Sequence, residues 1–379
     1  MDDNKIYDVA IAGGGLAGLT LAIQCAGAGC SVLLIEKEQY PFHKVCGEYI
    51  SMESYAFLQR IGLPLGAWDL PVIDTLQTSD IKGNVYNFSL PLGGFGISRY
   101  KMDNALYKLA VEKGVNVITQ TRVTAILFAN GQFAVETGAG CFVARCAVGS
   151  FGKRSNLDVK WQRSFVTSKP SRLNNYVGVK YHVRYPQQKN VIALHNFHNG
   201  YCGISNIEDG LCCLCYLTTA ENLRRGGNNI RQMEKDILMQ NPHLRKIFSE
   251  ADFVYKEPLT IAQVSFAKKS IVHDHVLMVG DAAGMIAPLC GNGMSMAMHA
   301  GKLAFENIND FLQGRIDRDT MEKQYLAQWQ QLFTKRMFTG RFVQRVFGNN
   351  TATALFLKFA HKNAWLAKKL ISSTHGTSF

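Results

Sequence analysis

Three glycines with the spacing Gly13-x-Gly15-x-x-Gly18 stand between a short apolar run, Tyr7–Ala12, and an apolar helical pattern at Leu19, Leu21, Ala22, Ile23, Cys25 and Ala26. This spacing suits the binding of a pyrophosphate. The first glycine makes a tight turn, the second lets backbone approach the phosphates, and the third lets helix pack on strand. Leu16 and Ala17 then open the helix, whose free N–H groups and partial positive charge face the ligand. Ser31–Ile35 reads as a second buried strand and ends at Glu36, which is followed by Lys37. Glu36 stands eighteen residues past Gly18 and can accept hydrogen bonds from ribose hydroxyls. Strand, helix and acidic strand end make a βαβ unit of about thirty residues, the usual length. The unit points to an adenine dinucleotide, without saying which.

Three further segments extend the pattern. Gly280-Asp281-Ala282-Ala283-Gly284 follows the apolar run Val276–Val279 and leads to Pro288-x-x-Gly291-x-Gly293-Met294. Pro41-Phe42-His43-Lys44-Val45-Cys46-Gly47-Glu48 follows the first unit, and Arg99 stands in Ile97-Ser98-Arg99-Tyr100-x-x-Asp103. With these motifs the chain resembles the FAD-dependent group that includes aromatic hydroxylases, flavin halogenases and geranylgeranyl reductases. The resemblance covers about residues 5–60, 95–155 and 272–312.

It implies FAD as cofactor. Gly280 and Asp281 would meet a ribityl or ribose hydroxyl. The helix beginning near Gly291, Gly293 and Met294 would aim its N-terminus at the flavin N1–C2=O edge, where reduced flavin carries negative charge. Arg99 takes the place of the family's flavin-contacting arginine, and Lys44 and Val123 are expected at the cofactor too. The Pro-x-x-Lys-x-Cys-Gly stretch is similar to that of the geranylgeranyl reductase branch and puts Cys46 near flavin and substrate. A thiol there can relay a proton or tune the ring, with Lys44 and His43 to lower its pKa. Glu48 is read as a proton donor or a salt-bridge partner of Lys44, and Tyr201 as a residue of the substrate side.

The chain departs from the family in three places. Phe151 replaces the Asp that hydroxylases carry in the segment Gly149–Ser155, and no second fingerprint for NADPH exists. NAD(P)H is therefore expected only as a transient reductant. Tyr201-Cys202-Gly203-Ile204-Ser205 keeps the Tyr of the reductases' Tyr-x-Trp-x-Phe-Pro segment but not its Trp or Phe-Pro. The Trp-x-Trp-x-Ile-Pro motif of halogenases is missing, so halogenation is not expected.

The elements imply an α/β fold: a Rossmann-type FAD-binding domain (1–69, 97–156 and 271–315), an inserted mixed β-sheet substrate domain (70–96 and 157–270) and a C-terminal helical region (316–379). No apolar run reaches the ~20 residues of a spanning helix, and Met1–Lys5 lacks signal-peptide character, so a cytoplasmic protein is expected, with peripheral membrane contact as an option. The ten cysteines read as reduced thiols, and Cys212-Cys213-Leu214-Cys215 lacks a partner at zinc spacing, so no metal is expected. Net charge is +12. From Gln331 onward there are eight Lys/Arg and no Asp or Glu, interleaved with aromatics. That pattern suits an acidic partner, an acyl-carrier protein or an anionic membrane surface, or a merely solvated face; nucleic acid is not expected. The leading expectation is a monooxygenase acting on an aromatic, polyketide-like or lipid-like metabolite. An ene-reductase and a non-catalytic FAD electron-transfer protein docking an acidic partner are the alternatives.

Overall fold

The apolar run ahead of the glycines forms the strand Ile6–Ala12, with Val9–Ala12 fully covered. A computed structural model describes residues 5–167, 175–347 and 350–379; Met1–Asn4, part of the segment read for a leader, lie outside the described residues. Ile6–Ala12 pairs in parallel with Val32–Ile35 on one side and Gly140–Gly149 on the other. Asn116–Ile118 and Val276–Met278 extend the parallel sheet at its two ends. The hairpin Val123–Ala129 and Gln132–Thr137 branches antiparallel from Gly140–Gly149. Parallel strands covered on both faces need near-continuous apolar runs, and VLLI (32–35) and VLM (276–278) supply them.

Six helices carry the rest of the account. These are α1 (Leu16–Gly27), α2 (Arg99–Glu112), α3 (Gly293–Leu312), α4 (Arg318–Val346), α5 (Asn350–Lys362) and α6 (Ala364–Thr374). Helix α1 is apolar nearly all round because the sheet, α2 and α3 all pack on it.

The second sheet has nine strands, in the order 252–253, 176–184, 212–219, 200–206, 191–197, 72–79, 85–96 and 49–51, with 259–264 paired off this path. Its pairs are antiparallel except Val191–Phe197 against Val72–Ser79, so the sheet is mixed. The short strand Tyr49–Ser51 joins it through Val85–Gly96, which ties the segment after Cys46 to the second sheet rather than the first. Helices α5 and α6 lie against Val85–Gly96, and α4 packs on α3 and α6.

Candidate active site

The glycine turn has the shape its spacing predicts. Gly13 holds φ +112, and a Cβ there would stand 2.4 Å from the Ser150 carbonyl oxygen. At Gly18 a Cβ would stand 2.2 Å from the Gly13 carbonyl oxygen. Gly15 is different: a Cβ would meet only Lys44 Nζ at 3.8 Å and Arg99 Nη2 at 4.0 Å. The space beside Gly15 is thus bounded by two cations at the N-terminus of α1, which fits a pyrophosphate. Glu36, at the strand end, accepts from Gly14 N at 2.8 Å and from Glu38 N at 3.1 Å. Tyr40 donates to the Gly14 carbonyl; burial pushes its phenol far up, so it stays a donor. Leu16 and Ala17 are buried at the start of α1. Val123 is buried at the start of its strand, next to the turn where Thr121 N reaches Glu36 O at 3.1 Å. Lys37 faces solvent and pairs with Glu38 at 3.5 Å.

Lys44 and Arg99 are oriented by one carboxylate. Asp103 takes Lys44 Nζ at 2.9 Å, Arg99 Nε at 2.7 Å and Arg99 Nη2 at 2.8 Å. Burial pushes the Asp103 carboxyl up, but Arg99 and Lys44 outweigh it and hold it below the usual carboxylate range. Two cations against one carboxylate leave a net positive charge where phosphates would lie. Cys46 donates its thiol to Met294 Sδ at 3.6 Å, in the first turn of α3. The structure thus brings the Cys46 segment, Arg99, Gly291, Gly293 and Met294 together. Gly280 opens a one-turn 3-10 helix with φ +59, and Asp281 follows it.

Glu48 is not a partner of Lys44. It is completely buried at φ 55 and lies in a different network. Its carboxylate accepts from Lys180 Nζ, from Arg99 N at 2.7 Å and from His182 Nε2 at 2.6 Å. Burial raises this carboxyl, yet the Lys180 charge and the His182 hydrogen bond hold it below the usual carboxylate range. Burial lowers Lys180, and Glu48 raises it further still. From His182 Nδ1 the network continues to Tyr255 Oη at 3.4 Å and from there to His43 Nε2 at 2.8 Å. Burial, then the Lys180 charge, holds His43 down to about 4. His43 is therefore neutral at pH 7 and lends Cys46 no positive charge. Glu48, His182 and Cys213 place three ligand atoms within 4.8 Å of one another, but the Lys180 ammonium already occupies the cation's position on Glu48. The buried ion pair explains why Glu48 can be charged there at all.

An apolar cavity of about 130 Å³ lies next to this group. The strands of the second sheet contribute Leu76, Phe88 and Leu194, the turn Pro288–Gly291 forms one wall, and Tyr49 another. Helices α4–α6 close it with Val343, Phe347, Phe356, Leu357, Ala367 and Ile371. Tyr49 Oη is buried without a hydrogen-bond partner among the described residues. Tyr201, expected on the substrate side, does not reach the cavity. It is buried in the second sheet beside Cys215 and Cys290, behind Leu289, and burial pushes its phenol far above the usual range. It supports the wall and carries no titration near neutral pH.

Two more residues hold the Asp281 turn. Lys269 Nζ donates to Asp281 O at 2.8 Å and Lys153 O at 2.7 Å, and burial lowers it to about 8 despite Asp281 nearby. Arg163 pairs with Asp158 at 2.6 Å and donates to Ala282 O at 3.0 Å. Sequence reading passed over both, because their contacts are to backbone carbonyls, which leave no motif. The four cysteines at 202, 212, 213 and 215 are free thiols, as are the other six.

Glycine turn, paired cations and α3 terminus together have the geometry that a dinucleotide would fit. The comparisons with known proteins make that reading specific. The FAD binding domain family model matches residues 8–44. Conditioned medium factor receptor 1 of Dictyostelium discoideum is 25% identical over 80% of this chain; the chain spans 63% of that relative's length. The 1H-pyrrole-2-carbonyl-[peptidyl-carrier protein] brominase of Pseudoalteromonas luteoviolacea is 24% identical, covering 83% of this chain and 80% of its own. A geranylgeranyl bacteriochlorophyll reductase-like protein from Thermoplasma acidophilum has the same fold, with TM-score 0.78 and 17% identity over 99% of this chain and 97% of that one. The chain is thus similar in sequence and fold to FAD-dependent monooxygenases, halogenases and geranylgeranyl reductases, and FAD is the cofactor that these comparisons support. No helix among the described residues is long and apolar enough to cross a membrane.

Proposed function

We propose that this enzyme is a monooxygenase that hydroxylates an apolar metabolite, aromatic or lipid-like. The cavity carries the reading: its walls are mostly aliphatic and aromatic side chains, and among its lining residues is Tyr49, whose hydroxyl is buried without a partner among the described residues. Such a space keeps water from the reacting atoms, which oxygen chemistry needs if reducing equivalents are not to be wasted. Bound FAD supplies the electron transfer and the oxygen chemistry. The chain's own residues do the rest. Gly13, Gly15 and Gly18 admit the pyrophosphate, Lys44 and Arg99 neutralise it, and Glu36 accepts from the ribose. Gly280 and Asp281 meet the central hydroxyls, and the N-terminus of α3 faces the flavin edge. Tyr49 donates to a polar group of the substrate. In this reading residues 1–69, 97–156 and 271–315 hold the cofactor, 70–96 and 157–270 present the substrate, and 316–379 close the cavity. A reduced nicotinamide serves as transient reductant, and the basic C-terminal region meets an acidic partner.

Reduction of a carbon–carbon double bond is the second reading, and one observation favours it. The Cys46 thiol lies against Met294 at the start of α3, a place from which a proton could reach a substrate carbanion. One experiment separates the two. The FAD-loaded protein is reduced without oxygen and mixed with apolar phenols or enones, under either ¹⁸O₂ or nitrogen in D₂O. One labelled oxygen in the product and the other in water supports hydroxylation. Flavin reoxidation under nitrogen, with deuterium in the product and loss of it in Cys46→Ser, overturns it in favour of reduction.

A further inference from the structure

We infer that the outer face of α4–α6 docks on an anionic membrane surface. The same pattern recurs on each helix. In α4 it is Phe338, Arg341, Phe342 and Arg345; in α5 it is Leu355, Lys358, Phe359 and Lys362; in α6 it is Trp365, Lys368 and Lys369. Steps of three and four residues put each set on one helix face. Phe338 is 68% exposed, Trp365 67%, Leu355 65% and Phe359 61%, the four most exposed large apolar side chains among the described residues. Lys335, Arg345, Lys358, Lys362, Lys368 and Lys369 are exposed on the same elements. Residues 323–379 contain no Asp or Glu to neutralise them. Arg336 is the exception among these cations, turned inward toward Glu53.

Two features select a bilayer over a protein partner. Cores of protein interfaces are depleted in lysine, yet here lysines alternate with the apolar residues along the stripes of α5 and α6. Long basic stems lying along apolar rings are the arrangement of an interfacial helix, where rings enter the acyl boundary and ammonium groups reach the phosphates. Lys369 Nζ already lies 4.7 Å over the Trp365 ring. The opposite faces of the same helices line the cavity with Val343, Leu357, Ala367 and Ile371. Docking therefore brings the cavity roof against the bilayer. The face stands on its own geometry; its use as a route for substrate rests on the proposed function.

The test is co-sedimentation of the full-length FAD-loaded protein with vesicles of phosphatidylcholine alone or with added phosphatidylglycerol, at low and high salt, with Trp365 emission followed in parallel. Binding to the anionic vesicles, weakened by salt, with a blue shift lost in Trp365→Phe, is the expected result. The double variants K358E/K362E and F359S/W365S lower partitioning about tenfold or more, while the flavin-to-protein ratio stays that of the parent. No sedimentation with anionic vesicles at low salt overturns the inference. So does tight binding of an acidic acyl-carrier protein, or self-association, that the same variants abolish in a protein that ignores vesicles. Neither assay reads turnover, so failure of the hydroxylase reading leaves this test intact.

Discussion

Gly13 and Gly15 belong to one motif and differ in what surrounds them. Gly13→Ala drives a methyl into the Ser150 backbone at φ +112, so the variant is expected to lose most of its soluble yield. Gly15→Ala meets only the tips of two flexible cations, and loss of a glycine N-cap costs about 1 kcal/mol or less. Its fold should survive, with a melting temperature within a few degrees of the parent apoprotein. Its methyl occupies the phosphate space, so flavin occupancy read at about 450 nm should fall and FAD affinity drop about tenfold or more. Tight FAD binding by Gly15→Ala would remove the phosphates from this position. Tyr49 gives a second contrast. Its buried hydroxyl has no partner, so Tyr49→Phe should leave thermal stability unchanged or slightly raised. If the hydroxyl meets substrate, the apparent KM rises about five- to tenfold, the equivalent of one neutral hydrogen bond. A fall in stability with an unchanged KM would assign Tyr49 to the fold alone.

At the scale of elements, the strand Tyr176–Arg184 shows where sequence reading stops. Its alternation is plain: Val177, Val179, Tyr181 and Val183 share one face, and Gly178, Lys180 and His182 the other. A polar face is normally read as solvent-facing. Here the Lys44–Glu48 segment covers it, so both faces are buried, and no local pattern announces a cover that arrives from more than a hundred residues away. The shape of the glycine turn and the place of Glu36 at a strand end were legible because both fall within one short βαβ unit, whereas Arg99 was read only from the resemblance. The role of Glu48 was not legible, since its partners Lys180 and His182 lie more than 130 residues away along the chain. The ion pair has a consequence to measure. Lys180→Met leaves a buried carboxylate without its cation, and unfolding free energy in urea should fall by about 3–5 kcal/mol. The double variant Glu48→Gln/Lys180→Met should recover a large part of it, because the uncompensated charge is gone. Additive losses in the double variant would contradict a coupled pair.

Burial pushes five histidines of the molecule, His43, His195, His273, His299 and His375, below the ordinary imidazole range. Burial holds His195 down to about 3. Burial, then Arg336, holds His299 down to about 4, and His43 is likewise near 4. The unfolded chain protonates these rings near pH ~6.5, and the native chain does not until well below that. Between these values the unfolded state binds more protons, so stability rises with pH and is lost on acidification. The melting temperature should fall steadily from pH 7 to pH 5, and His195→Gln should flatten the slope. A flat parent profile over that window would contradict neutral buried rings. Glu48, whose ionised form is favoured by folding, adds its own loss lower still, as pH drops through its folded value.

The roof of the cavity is a single layer of helices, and a helix is roughly 10 Å across. Whatever touches its outer side is therefore one helix diameter from whatever fills its inner side. Opening such a roof requires parting the same helices that make the outer contact. Under the proposed docking on lipid, admission of substrate and attachment of the protein would be one event, and the quantity that sets the rate would be substrate per area of lipid, not substrate per litre. Diluting the substrate with inert lipid at constant total concentration should slow turnover, whereas diluting the whole suspension should scarcely change turnover per enzyme that stays attached.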